Sequence, residues 1–153
     1  MRKLFRSLFP LGLLFWSTGQ SSETVEPLEE LRWSSRVLLV FAVDDQDPRV
    51  IAISESIREA RCAVEERDLV FGRVLLAGES RIGENILSAE AAARLRDRFQ
   101  LAESDFRVLL IGKDGGVKST YHSVPQLDEV FRLIDSMPMR IREAKSQSEP
   151  CSG

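Results

Sequence analysis

The sequence predicts an α/β domain built on a four-stranded mixed sheet with helices on both faces. Three observations carry this. Residues 37–43 (VLLVFAV) form an unbroken apolar run with the length and valine content of a strand buried on both faces. A stripe of apolar residues at three-four spacing follows, and then a second apolar run, the pattern of a strand–helix–strand unit. Further on, two more strand-like runs flank an Asp-Gly pair, which is a hairpin signal. At 153 residues, 43% hydrophobic and 29% charged, the chain has the size and composition of one globular domain.

Arg2, Lys3 and Arg6 precede a short apolar stretch, residues 8–16 (LFPLGLLFW), and the small residues Ser17, Thr18 and Gly19. That layout predicts a secretory signal peptide over residues 1–19. The apolar stretch is shorter than the roughly 20 residues that span a bilayer, and no cysteine follows it to carry a lipid anchor. Residues 20–27 read as a polar, acidic linker, and the domain is expected over residues 28–142. Residues 28–33 (LEELRW) suggest one helical turn. After the strand at 37–43, Asp47 and Pro48 are a good helix start, because aspartate caps free N–H groups and proline lacks one that would be unpaired there. The helix should run to about Arg67, burying Val50, Ile53, Ile57, Ala60 and Val64.

Residues 69–77 (LVFGRVLLA) read as the second strand, interrupted by Gly72 and Arg73, and residues 78–87 as a loop. Ser88 is placed to cap a helix that buries Ala92, Leu95 and Phe99. Residues 106–111 (FRVLLI) give the third strand, Gly112-Lys113-Asp114-Gly115-Gly116 a tight turn, and residues 117–121 the antiparallel fourth strand. Ser123 and Gln126 have the spacing of a capping box. The helix after them should bury Leu127, Val130, Phe131, Ile134 and Met137 and stop at Pro138, leaving residues 143–153 as a polar, disordered tail. The order is β-α-β-α-β-β-α. With a right-handed first crossover the strands lie in spatial order 2-1-3-4, which is the order of the thioredoxin core.

Several stretches resemble one known family. They are Leu31-Arg32-Trp33, residues 36–41 (RVLLVF), 66–70 (ERDLV), 106–118 (FRVLLIGKDGGVK) and 134–140 (IDSMPMR). Together they are similar to the domain-of-unknown-function family 4174, over roughly Leu28 to Arg142. The resemblance implies a thioredoxin-like fold. It also implies kinship with a domain of secreted vertebrate matrix proteins, some carrying sushi repeats. It supplies no defined catalytic residues.

The residues exclude more chemistry than they select. Thiol–disulfide exchange needs a low-pKa thiolate at the start of the helix after the first strand. That position reads Asp44-Asp45-Gln46-Asp47, and no proline precedes Phe106 at the start of the third strand. Only Cys62 and Cys151 exist, and their spacing suggests no bridge. Cys62, read as mid-helix, is expected to be an inert, partly buried thiol. Asp44, Asp45 and Asp47 are weak candidates for a Ca²⁺-type ion, weighed against a simple cap at Asp47. His122 is the lone histidine and no Gly-x-Ser-x-Gly elbow accompanies it, which argues against zinc and against a serine hydrolase. No nucleotide-binding glycine motif occurs, so no cofactor is expected. A net charge of −3 gives no general attraction to nucleic acid. Arg32 and Trp33 form a candidate interaction surface, since both types are enriched at binding hot spots; the competing reading has Trp33 covering its own core. The expectation is an exported, non-catalytic interaction or scaffold module with a protein partner outside the cytoplasm. The alternatives are a redox accessory or enzyme using a non-cysteine site, and a metal-dependent module using the acidic loop.

Overall fold

The computed structural model describes residues 26–146. The expected signal peptide, most of the expected linker and the last seven residues lie outside the described residues. In chain order the elements are α1 (Pro27–Glu30), β1 (Arg36–Ala42), α2 (Pro48–Glu59), α3 (Arg61–Glu66), β2 (Leu69–Leu75), β3 (Arg81–Ile82), β4 (Asn85–Ile86), α4 (Ala89–Arg98), β5 (Arg107–Ile111), β6 (Val117–Tyr121), α5 (Leu127–Asp135) and α6 (Pro138–Ser146). Among the described residues no helix is long and apolar enough to cross a membrane.

β1 is central because its side chains from Val37 to Ala42 are apolar on both faces. All seven of its residues are buried. It pairs parallel with β2, Arg36 opposite Leu69 through Ala42 opposite Leu75, and antiparallel with β5. The alternation of β1 then splits the core into two layers. Leu38, Val40 and Ala42 pack with Val50 and Ile53 of α2, Val64 of α3 and Val130, Phe131 and Ile134 of α5. Val37, Leu39 and Phe41 pack on the other face with Leu28 of α1 and Ala92 and Leu95 of α4. Fully burying such a side chain contributes about 1.5–3 kcal/mol, so this strand is the main apolar anchor of the domain.

The sheet corrects the expected strand count. Its order is β4-β3-β2-β1-β5-β6, six strands in place of four. The inner four lie in the expected 2-1-3-4 order. The extra pair arises inside the expected loop at residues 78–87, where Gly83 (φ 57) opens a two-residue turn between Ile82 and Asn85. Gly72, which looked like an interruption, is what lets this hairpin close. It sits opposite Ile82, and a Cβ there would stand 2.9 Å from Leu39 Cδ1 and 3.0 Å from Ile82 Cγ1.

Helix boundaries differ at three places. The helix expected to run to Arg67 breaks at Ala60 (ψ 22) into α2 and α3, with no proline or glycine to announce it. The expected capping box at Ser123 is not formed: α5 begins one turn later, with Gln126 at its cap and no side-chain bond. Pro138 does end α5, but it also opens α6, where its missing N–H costs nothing. Glu143 is therefore helical and half-buried, not the first residue of a disordered tail.

Candidate functional site

The C-terminal end of β1 is where the fold would hold a reactive thiolate. Asp47 caps α2: its Oδ1 accepts the Arg49 N–H at 2.9 Å. Arg49 folds back onto the same carboxylate, Nε to Oδ1 at 3.0 Å and Nη2 to Oδ2 at 2.6 Å. The hydrogen bond from Arg49 holds the Asp47 carboxyl below the usual aspartate range despite partial burial. The guanidinium then lies 4.1 Å from the centre of the Phe106 ring, a cation–π contact. Asp44 accepts the Gln46 N–H and Asp45 accepts the Gln46 side-chain amide. Each of the three carboxylates thus has its own local donor. Among the described residues no group of three or more histidine, cysteine, aspartate or glutamate side chains is arranged to hold a metal ion.

Arg96 of α4 closes the same end from the other face. It is buried, and its guanidinium donates to the Ala42 and Val74 carbonyls at the ends of β1 and β2 and to Ala102 O at 3.3 Å. Burial lowers its pKa, an effect that Asp105 and Glu103 oppose. Arginine stays charged all the same. The expected buried stripe of α4 did not include it. The signal is only visible in three dimensions: the carbonyls that receive its guanidinium, Ala42 and Val74, lie 54 and 22 residues away in the chain.

The opposite end of β1 carries the other candidate residues. Trp33 is 62% exposed, so it does not cover the core as the competing reading had it. Its backbone is in the left-handed region (φ 67), which costs a bulky residue about 1–3 kcal/mol. The Trp33 N–H donates to the Lys113 carbonyl at 2.6 Å and so fixes that conformation. The Arg32 guanidinium stacks 5.4 Å from the indole centre. Arg32 also lies against Gly115 (φ 81), where a Cβ would stand 3.6 Å from its Nε. The Lys113–Gly116 turn is thus part of the surface that displays Trp33.

Beneath that surface lies a charge network that sequence reasoning did not anticipate. The Arg36 side chain is buried; Nη1 donates to Arg67 O at 2.8 Å and Nη2 to Glu143 Oε2 at 3.0 Å. The other oxygen of Glu143 meets Lys113 Nζ at 2.8 Å, and Lys113 also reaches Asp68 at 2.7 Å. Arg67 and Arg140 share Asp135 beside it, and Arg140 binds Glu66 at 2.9 Å. Partial burial pushes the Glu143 carboxyl up, but the hydrogen bonds from Lys113 and Arg36 outweigh it and the pKa is lowered. A groove of about 330 Å³, lined in part by Met137, Pro138 and Met139, opens beside Arg36 and Lys113.

Cys62 corrects another expectation. It is disulfide-bonded, and among the described residues there is no free cysteine. The only other cysteine of the sequence is Cys151, outside the described residues. Spacing along the chain failed here because a bridge depends on distance in the fold. His122 is exposed at the end of β6.

The model of a family described as Domain of unknown function (DUF4174) matches residues 27–143. Coiled-coil domain-containing protein 80 of Danio rerio is 29% identical over 136 residues, covering 78% of this chain and 16% of that protein. Sushi repeat-containing protein SRPX2 of Xenopus laevis is 25% identical over 124 residues, covering 76% of this chain and 27% of that protein. The chain therefore spans about a quarter or less of the length of these relatives. Among solved structures, the reduced 2-Cys peroxiredoxin of Plasmodium vivax superposes with a TM-score of 0.54 at 18% identity, covering 78% of this chain and 85% of that one. That likeness shows a thioredoxin-like fold.

Proposed function

The chain belongs to the DUF4174 family, and from that premise we propose that it is an exported, non-catalytic interaction module that binds a protein partner through Trp33 and Arg32. The observation that carries this reading is the exposed Trp33, held at a positive φ by the Lys113 carbonyl instead of being folded onto the core. A large aromatic displayed at a conformational cost fits a binding anchor better than a packing element. Two further features support it. Where the fold would carry a reactive thiolate, a closed Asp47–Arg49–Phe106 arrangement stands. The disulfide at Cys62 suits an oxidising compartment, as does the amino-terminal pattern of residues 1–19.

One experiment tests both halves. The protein is recovered from the extracytoplasmic fraction of its native host, its mass is measured, and captured partners are compared for wild type and Trp33→Ala. The expected mass is that of a chain starting near Gln20, with a partner held by wild type and lost by Trp33→Ala. An intact chain beginning at Met1 in the soluble cytoplasm sinks the export half. A partner captured equally by Trp33→Ala sinks the surface.

A further inference from the structure

A second groove, on the α2/α3 side of the sheet, contains an arginine that the fold leaves without a counter-charge. Arg73 of β2 and Arg81 of β3 are register partners across the antiparallel pair. Directly opposite residues project from the same face of a sheet, and like charges so placed are destabilising. Arg81 stands 3.2 Å from the Glu79 carboxylate. Arg73 is half-buried, and among the described residues it has no hydrogen-bond or ion-pair partner; its Nε is shielded from water and unsatisfied. Both arginines line an open groove of about 430 Å³, whose other walls include Ile57, Val64, Leu69 and Phe71. Glu84 lies at this groove too, but it is exposed to water and pairs with neither arginine.

We propose that this groove binds a small amphipathic carboxylate, its head bridging Arg73 and Arg81 and its apolar body lying on Ile57, Val64, Leu69 and Phe71. The volume falls in the range of small-molecule sites, and a mainly apolar wall with one or two charged groups is their usual make-up. With Arg81 set against Glu79 and Glu84 standing exposed and unpaired with either arginine, Arg73 is the one guanidinium here without an ion-pair partner, which favours a ligand with a single carboxylate. Guanidinium forks bind carboxylates in a planar, paired geometry, so the two arginines can share one carboxylate. The cross-strand repulsion is then a cost of the empty site that a bound anion removes.

The test is calorimetric titration of the full chain with decanoate, below its micelle-forming concentration, with 1-decanol as the uncharged control. Wild type is expected to bind decanoate saturably and more tightly than 1-decanol. Arg73→Gln and Arg81→Gln should each weaken decanoate binding by roughly tenfold or more and leave 1-decanol binding unchanged. Arg73→Gln should also melt no lower than wild type without ligand, because it removes an uncompensated charge. Absence of saturable decanoate binding overturns the proposal. So does equal binding of decanoate by Arg73→Gln and Arg81→Gln, or equal binding of 1-decanol and decanoate by wild type. Arg81→Gln keeps the test decisive should Arg73→Gln fail to fold.

Discussion

At the residue scale, Asp47 shows how one side chain can fill a position that the fold elsewhere uses for chemistry. Its carboxylate accepts the Arg49 N–H and is clamped by the Arg49 guanidinium, which rests on Phe106. A carboxylate so engaged has little left to offer a cation. Asp47→Ala should therefore cost about 0.5–2 kcal/mol, the range for losing a helix cap. The loss should be equal in Ca²⁺ and in chelator. Asp44→Asn and Asp45→Asn should cost less, since each holds only Gln46. Thermal unfolding of these variants checks this, and a cation-dependent rise in wild-type stability that the Asn variants lose would restore the metal reading. The caps at Asp47 and Ser88 were legible in the sequence because capping is local: the acceptor lies within three residues of its N–H. The buried Arg36 and Arg96 were not, since charge predicts exposure and what buries them is partners far away in the chain.

At the element scale, α6 is held by ions more than by apolar packing. Its contact with the body runs through Glu143, which bridges Arg36 and Lys113, and through Arg140, which joins Asp135 and Glu66. The pKa of Glu143 is lowered in the folded chain, and so is that of Asp135, where the bonds from Arg67 and Arg140 outweigh burial. A depressed carboxylate pKa contributes stability that is present above the unfolded value. It is lost as pH falls through the folded value. The docking of α6 should thus be complete at neutral pH and weaken progressively below about pH 4.5, the ordinary glutamate value. Glu143→Gln should cost about 3 kcal/mol at pH 7, the low end for breaking a buried ion pair. The gap between variant and wild type should shrink as the solution is acidified. Denaturant unfolding at pH 7 and pH 3.5 measures both numbers; a gap that persists unchanged at the lower pH would mean that Glu143 acts through packing alone. Sequence patterning ended the domain at Arg142 and read the last part of α6, from Glu143, as a tail, because Glu143, Lys145 and Ser146 give it no apolar stripe. The hairpin β3–β4 was missed for the same kind of reason. Two-residue strands carry no periodicity, and Gly83-Glu84 was its only local mark.

At the scale of the whole molecule, the inner sheet and its two layers follow from one strand. The apolar run of β1 dictates burial on both faces, and burial on both faces dictates helices above and below. That logic is local enough to read from a sequence. The disulfide at Cys62 is not, because spacing along a chain does not report separation in space. Exchange chemistry requires a thiolate to attack a disulfide and a second thiol to resolve the mixed product. Here Cys62 lies in α3, away from the start of α2, and is already bonded. The bond should act as a brace: Cys62→Ser should lower stability by about 2–4 kcal/mol while the far-ultraviolet circular dichroism stays that of the folded sheet. In an insulin-reduction assay, wild type and Cys62→Ser should both match the uncatalysed rate, because no thiolate stands where the fold would activate one. Turnover by wild type that Cys62→Ser abolishes would show instead that the bond opens and reacts. The chain would then be a redox protein with its cysteine moved from α2 to α3, and the closed Asp47–Arg49 pair would be incidental to its chemistry.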